Sequence, residues 1–254
     1  MDSNIKVSGG IVTYNNADII CGCIESLLRE TRGVDFQLYI ADNSSTDNTV
    51  QLIKEKFPQV ILLEQDKNMG FGHGHNVIAD SVKSDYHAVI NPDIYVEGDV
   101  ISALVHMMEE NPDVVMSTPK ILNEDGTEQF LPKKDPSIRY VILSKFKPFR
   151  HFRTEYTRQL EEDGNAMDIE MCTGCFFVMR TEVFRKLGGF DRRYFMYCED
   201  ADISRRARKL GRIVFWPYVS ATHKWSRANT RSIKGVCRFL TSLFKYFIRW
   251  GVNW

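Results

Sequence analysis

Phe36-Gln37-Leu38-Tyr39-Ile40-Ala41-Asp42-Asn43-Ser44-Ser45-Thr46-Asp47 is an apolar run that stops at a chain of short polar side chains. The run reads as a buried strand. The polar stretch suits a helix N-terminus, because Asp, Asn, Ser and Thr accept hydrogen bonds from backbone N–H groups that a first helical turn leaves unpaired. A helix carrying Val50, Ile53 and Phe57 should follow. The same unit recurs on both sides. Upstream, residues 7–14 are strand-like, and Ile20, Cys23, Ile24, Leu27 and Leu28 stand at helical spacing until Gly33. Downstream, residues 60–63 read as a third strand and 86–90 as a fourth. The fourth runs into Asn91-Pro92-Asp93 and then a helix with Val100, Leu104, Val105 and Met108 on one side. This alternation predicts an α/β fold: a mixed, mainly parallel sheet with helices on both faces and ligands at the carboxyl ends of the strands.

From Lys120 to about Asp168 the pattern weakens. Glu124-Asp125-Gly126 looks like a hairpin turn, and residues 145–153 are basic and aromatic without clear period, so the stretch reads as an insertion or mobile loop. Order returns at residues 169–180, read as a strand. A helix capped by Thr181 and closed by Gly188-Gly189 follows, then another from about Asp200 to Leu210.

At 254 residues, 43% hydrophobic and 26% charged, the chain is neither disordered nor forced into two domains. Its zero net charge hides an asymmetry. Residues 203–254 hold twelve Lys or Arg and no acid. Such a split suits a polyanion, nucleic acid or an anionic membrane, although a solvated basic face would look the same. The chain divides into an α/β domain, residues 1–225, and a basic helical tail, 226–254. The N-terminus has no apolar run that could serve as a signal peptide, so the six cysteines point to a reducing cytosol. Cys172-x-x-Cys175 lacks a second ligand pair for zinc and reads as core filler.

Polar residues cluster where strands end: Thr13-Tyr14-Asn15-Asn16, Asp42, Asn68-Met69-Gly70-Phe71-Gly72 and Asn91-Pro92-Asp93. Asp42 can accept from a base imide or a ribose hydroxyl, or it can simply cap a helix. Gly70, Gly72 and Gly74 would let backbone amides approach a phosphate. Asp93, on a strand-to-turn boundary, could reach a hard divalent cation. Glu199-Asp200-Ala201-Asp202 follows the aromatic run Tyr194-Phe195-Met196-Tyr197, which would desolvate a carboxylate and raise it toward a useful base. The acidic cluster is equally what a helix N-terminus favours.

Six of these motifs, in order, resemble the family 2 glycosyltransferases. They are Val12-Thr13-Tyr14-Asn15, Ala41 to Asp47, Asn68-x-Gly70-Phe71-Gly72 with Asn76, Asn91-Pro92-Asp93, Gly189-Phe190-Asp191 and Phe195-Met196-Tyr197-x-Glu199-Asp200-x-Asp202. The Asn-Pro-Asp form is similar to a branch rich in bacterial rhamnosyltransferases. The resemblance covers roughly residues 5–225. It implies a GT-A fold and an inverting transfer from a nucleotide-diphosphate sugar, dTDP- or UDP-linked, with manganese or magnesium. The acceptor implied is a lipid-linked or growing bacterial surface glycan. Thr13, Tyr14, Asn15 and Asp42 would serve the nucleoside; Asn68, Gly70, Asn76, Asn91 and Asp93 the donor; Thr173 and Gly174 the acceptor pocket. His223, in Thr222-His223-Lys224-Trp225-Ser226, matches a late histidine that joins Asp93 at the metal or diphosphate. Asn91 stands where an Asp is common, which leaves one carboxylate fewer for the metal. Asp200 is the expected base, with Glu199 its neighbour and rival. A non-catalytic carbohydrate-binding protein of the same fold, or a transferase of UDP-hexose or UDP-N-acetylhexosamine, is the competing reading.

In the tail, Arg231, Lys234, Arg238, Lys245 and Arg249 share a helical sector opposite Val236, Phe239, Leu240, Leu243, Phe247 and Trp250. Charge interrupts it too often for a bilayer span. An interfacial helix fits, each basic group adding about 1 kcal/mol near anionic lipid. The tail therefore predicts peripheral contact with the inner face of the plasma membrane through residues 232–254, not nucleic acid. Docking on the catalytic domain or on a second subunit of a homodimer are the alternatives.

Overall fold

A computed structural model describes residues 5–224, 233–252 and 254. Arg231, Trp225, Ser226 and the expected domain boundary at 225/226 lie outside the described residues. The elements run in the order β1 Lys6–Thr13, α1 Ile20–Glu30, β2 Asp35–Asp42, α2 Thr49–Lys56, β3 Ile61–Glu64, α3 Phe71–Ser81 and β4 Tyr86–Ile90. They continue with β5 Ile94–Val96, α4 Val100–Glu110, β6 Val114–Leu122, α5 Ile138–Val141, α6 His151–Thr157, β7 Met167–Asp168 and β8 Phe176–Arg180. The last are α7 Thr181–Lys186, α8 Glu199–Ala207, β9 Arg212–His223 and α9 Ile233–Trp250.

One sheet carries the fold, in the order β3-β2-β1-β4-β8-β6-β9-β5, with β7 on β9. Its first four strands are parallel, as the repeated strand–helix unit requires. Beyond β4 it is mixed, because β8 enters antiparallel between β4 and β6 while β9 runs parallel to β6. Side chains alternate between two apolar layers. Ala88, Ile90, Phe176 and Val178 face the layer shared with α1 and α4; Val89, Phe177 and Met179 face that shared with α3, α7 and α8. Both faces are covered, which is why β4 is apolar throughout.

Three segments depart from the sequence reading. Residues 71–81 form α3, a helix that the glycine-rich stretch did not announce. Gly72 and Gly74 let that helix approach closely, since a Cβ would lie 2.8 Å from the Phe190 side chain and 2.6 Å from that of Val12 respectively. Residues 169–175 leave the strand between β7 and β8. Residues 138–157, read as an insertion or mobile loop, form α5, two 3-10 turns and α6. Cys172 and Cys175 are buried free thiols in opposite apolar layers.

The tail helix docks. Leu243 and Tyr246 are buried in a third apolar cluster with Tyr140, Tyr156, Tyr194 and Ala201, and Phe239, Phe247 and Trp250 pack at its edge. Trp250 Nε1 donates to Asp202 Oδ1 at 2.8 Å, and Arg249 forms ion pairs with Asp202 (2.9 Å) and Asp191.

Candidate active site

The parallel strands bring their carboxyl ends to one edge. Thr13 and Asp42 are register partners across β1 and β2, and Ile11 pairs with Ile90, so Asn91-Pro92-Asp93 opens beside them. The loops after β1 and β2 are locked together. Asn15 Oδ1 accepts from Thr46 N–H (2.8 Å), and Asn15 N–H donates to Ser45 Oγ (2.9 Å). Asp42 is buried, accepting from Ser45 N–H at 2.8 Å and Ser45 Oγ at 2.5 Å. Asp42 thus ties its own loop and does not cap the helix, whose first turn is met instead by Asp47 Oδ1, accepting from Thr49 N–H at 3.0 Å. Thr13 is buried with its hydroxyl donated to Asn16 Oδ1, whereas Tyr14 is exposed. Asn15 and Ser44 adopt left-handed backbone (φ 54° and 64°), a conformation that costs a non-glycine residue energy and collects at functional loops.

At the next strand end, Asn68 Oδ1 accepts from Gly70 N–H (3.0 Å), and Gly70 sits at φ 92° where a Cβ would meet the Phe195 carbonyl oxygen at 2.1 Å. Phe71 N–H donates to that same carbonyl (3.0 Å). Asn68 and Gly70 thus shape the rim and tie it to the loop before α8. Asn76 is buried, and its amide bonds both the N–H and the C=O of Phe190 at 2.8 Å, fixing the Gly-Phe-Asp turn.

Asp93 and His223 meet. β5 pairs antiparallel with β9, which sets Ile94 opposite His223 and puts Asp93 Oδ1 3.2 Å from His223 Nε2. His223 Nδ1 lies 2.8 Å from Gln129 Oε1. The imidazole and the carboxylate are thereby held side by side at the strand ends. One carboxylate and one imidazole suit Mn²⁺ or Mg²⁺ that draws its other ligands from a diphosphate and water. Among the described residues no cluster of three or more metal-binding side chains occurs. Gln129 belongs to the weakly patterned stretch, where the sequence offered no signal for its role.

The acidic pair opens α8. Tyr197 and Cys198 both adopt left-handed backbone (φ 74° and 64°), lifting Glu199 and Asp200 out of the preceding loop. Asp200 Oδ2 accepts from Gly174 N–H (3.0 Å) and Oδ1 from Ala201 N–H (2.8 Å), bonds that favour its ionised form, while burial raises its pKa. Glu199 is raised too, by burial and then by the Asp200 carboxylate beside it, and its Oε2 is buried without a partner. The Gly174 and Ala201 N–H groups that face Asp200 suit a carboxylate poised to take a proton. Thr173 Oγ1, buried and without a partner, lines a cavity with Thr118, Gln129, Lys133, Met171 and Phe215. Gly174 acts by holding Asp200. The next peptide continues the link, because Cys175 C=O accepts from Asn91 N–H at 2.8 Å.

A raised pKa means that the folded protein keeps the Glu199 proton where the unfolded chain has lost it. The carboxyl therefore costs stability as pH climbs above the ordinary carboxylate range toward the raised value. Glu199→Gln should melt above the wild type at neutral pH, and the gap should close as pH falls into that range. Calorimetry showing equal melting at neutral pH would contradict the assignment.

The family model described as glycosyl transferase family 2 matches residues 8–188. The chain is 29% identical over 208 residues to N-acetylglucosaminyl-diphospho-decaprenol L-rhamnosyltransferase of Mycobacterium tuberculosis, covering 76% of this chain and 67% of the relative. It is 26% identical over 252 residues to rhamnosyltransferase WbbL of Escherichia coli, covering 94% and 91%. GalNAc-T7, solved with UDP, GalNAc and Mn²⁺, superposes with a TM-score of 0.67 at 14% identity over 87% of this chain and 44% of that one. The mannosyltransferase PcManGT of Pyrobaculum calidifontis, solved with GDP-Man and Mn²⁺, gives 0.66 at 16% over 96% and 64%. At such identities the structures establish the GT-A fold alone.

Proposed function

The chain belongs to glycosyl transferase family 2, and from that premise we propose that it moves L-rhamnose from dTDP-rhamnose to a hydroxyl of a lipid-linked or growing glycan, with inversion at the anomeric carbon. One observation carries the catalytic reading: two consecutive residues, Gly174 and Cys175, tie the Asp200 carboxylate to the Asn91-Pro92-Asp93 turn. That link supports a reading in which Asp200 acts as base on one side of it and Asp93 with His223 holds the diphosphate on the other.

Asp200 takes the proton of the acceptor hydroxyl. The acceptor oxygen bonds the anomeric carbon on the face opposite the diphosphate, whose C–O bond breaks, and the nucleoside diphosphate departs. Asp93 and His223 are the residues that would hold a divalent metal, which when bound neutralises the charge gathering on the diphosphate. Thr13, Tyr14, Asn15 and Asp42 border the nucleoside end; Thr173 faces the acceptor side. The two relatives named as rhamnosyltransferases support rhamnose as the donor sugar, and the first of them, named for a diphospho-decaprenol substrate, supports a lipid-linked acceptor. Such an acceptor puts the reaction at a membrane, with the protein held there peripherally. Among the described residues no helix is long and apolar enough to cross one.

A panel of sugar nucleotides tests the proposal. Nucleoside diphosphate should be released from dTDP-rhamnose, in the presence of Mn²⁺ or Mg²⁺ and of a lipid-linked N-acetylglucosamine acceptor, and chelation should stop it. Release from a UDP-hexose or UDP-N-acetylhexosamine instead would overturn the donor; release from none would overturn transfer itself.

A further inference from the structure

Docking consumes only one side of α9. The side turned to the catalytic domain presents Ser242, Leu243 and Tyr246, while Val236, Leu240, Phe244 and Ile248 form an outward stripe at four-residue spacing. Phe244 and Ile248 are each 66% exposed. The stripe shares Val236 and Leu240 with the apolar face that the sequence periodicity marked and adds Phe244 and Ile248. Of the residues assigned to that face, Leu243 is buried and Phe239, Phe247 and Trp250 pack inward, while Val236 and Leu240 turn outward and run on into Phe244 and Ile248. Lys234 and Arg238 are exposed along the same helix, and no acidic residue occurs from 203 to 254.

A second element adjoins it. The 3-10 turns between α5 and α6 expose Ile142, Phe146 and Phe149 among Lys145, Lys147 and Arg150, in a stretch free of acid from residue 136 to 154. Phe146 is 57% exposed. The two elements touch where Lys145 Nζ stands 5.2 Å from the centre of the Phe239 ring. Large exposed apolar side chains gathered on neighbouring elements mark a binding surface.

We propose that the outer stripe of α9 and the exposed aromatics of residues 142–149 form one surface that seats the protein on an anionic lipid bilayer. Protruding Val, Leu, Ile and Phe side chains fringed by Lys and Arg match a headgroup boundary, where apolar groups enter the acyl layer and cations meet lipid phosphates. A nucleic acid offers nothing to an aliphatic stripe. A twofold dimer through this face would set the basic fringe against its own copy. The surface also sits beside the base. Ser242 Oγ donates to the Met196 carbonyl (2.8 Å), Phe239 packs edge-on against Tyr197, and the Arg238 guanidinium lies 4.5 Å from the Phe195 ring centre, all in the loop that leads into Glu199 and Asp200. Resting on the transfer reading above, this contact would deliver a lipid-borne hydroxyl to the acceptor side without the acceptor leaving the membrane.

The test is flotation of the purified full chain with vesicles of phosphatidylcholine, with and without phosphatidylglycerol. Wild type should float with the anionic vesicles and be released by high salt. Phe244→Ser/Ile248→Ser and, separately, Phe146→Ser/Phe149→Ser should each weaken binding by about tenfold or more, with unchanged melting and unchanged transfer to a short water-soluble acceptor. Wild type that stays in solution at low salt, or double variants that float as it does, would overturn the proposal. So would a dimer, by light scattering, that Phe244→Ser/Ile248→Ser dissociates while vesicle binding persists. Vesicle binding without transfer to any acceptor would instead remove the catalytic reading and leave the lipid surface standing.

Discussion

Removing residues 233–254 should deprive the protein of most of its stability, because the tail helix is part of the core. Tyr246 is fully buried and Leu243 nearly so, in a cluster shared with Ala201 of α8 and Tyr194. Truncating a single buried aromatic of this size costs about 3–5 kcal/mol, against a total of about 5–15 kcal/mol for a typical domain. The deletion would remove several such side chains at once. It would also strip Asp202, whose side chain is fully buried, of Trp250 Nε1 and Arg249 and leave it Arg206 alone. Tyr246→Ala is the milder form. Its melting point should fall by roughly 6–20 °C, given about 2–4 °C per kcal/mol for a chain of this length. A truncated protein that melts like the whole chain would show the helix to be an appendage. The same reasoning decides how the lipid surface is probed, since only outward substitutions separate loss of membrane contact from loss of fold.

Asp200→Asn should lower turnover by about 10²–10⁴-fold, the usual contribution of a general base, while nucleoside diphosphate binds as before. The substitution is nearly isosteric, and the amide oxygen can still accept from Gly174 N–H, so α8 should stay in place. What it removes is the capacity to take a proton. Glu199→Gln should behave differently, because it leaves the Asp200 carboxylate and its two backbone N–H partners in place. Because burial raises the Asp200 pKa, the wild-type rate should rise as pH climbs through that raised value and then level off. Transfer of radiolabelled sugar across a pH series measures both effects. Full activity in Asp200→Asn, with Glu199→Gln inactive, would exchange their roles.

Much of this was legible in the sequence where one element follows the next. The period of β1 through α2 and the Pro92 turn located the parallel half of the sheet and its crevice, because hydrophobic spacing is a local signal. Long-range pairing leaves no such trace. β6 carries Pro119 at a break in register with β9, and β9 itself holds Pro217, so neither strand shows uninterrupted alternation. The approach of His223 to Asp93 depends on β5 pairing with β9 across more than a hundred residues, and motif order alone suggested it. Gly72, Gly74 and Asn76 show a related gap: small and amide side chains serve close packing as readily as ligand binding, and their partners here, Phe190 and Val12, come from distant parts of the chain. The tail's periodicity revealed one amphipathic helix but not which of its apolar stripes was already taken.

The division of labour between Asp93 and Asp200 is the centre of this account, and calorimetric titration of nucleoside diphosphate into the protein with and without Mn²⁺ tests it most directly. Wild type and Asp200→Asn should bind alike and need the metal, whereas Asp93→Ala should lose the metal-dependent part. Binding by Asp93→Ala that matches the wild type in Mn²⁺, or wild-type binding indifferent to metal, would contradict it.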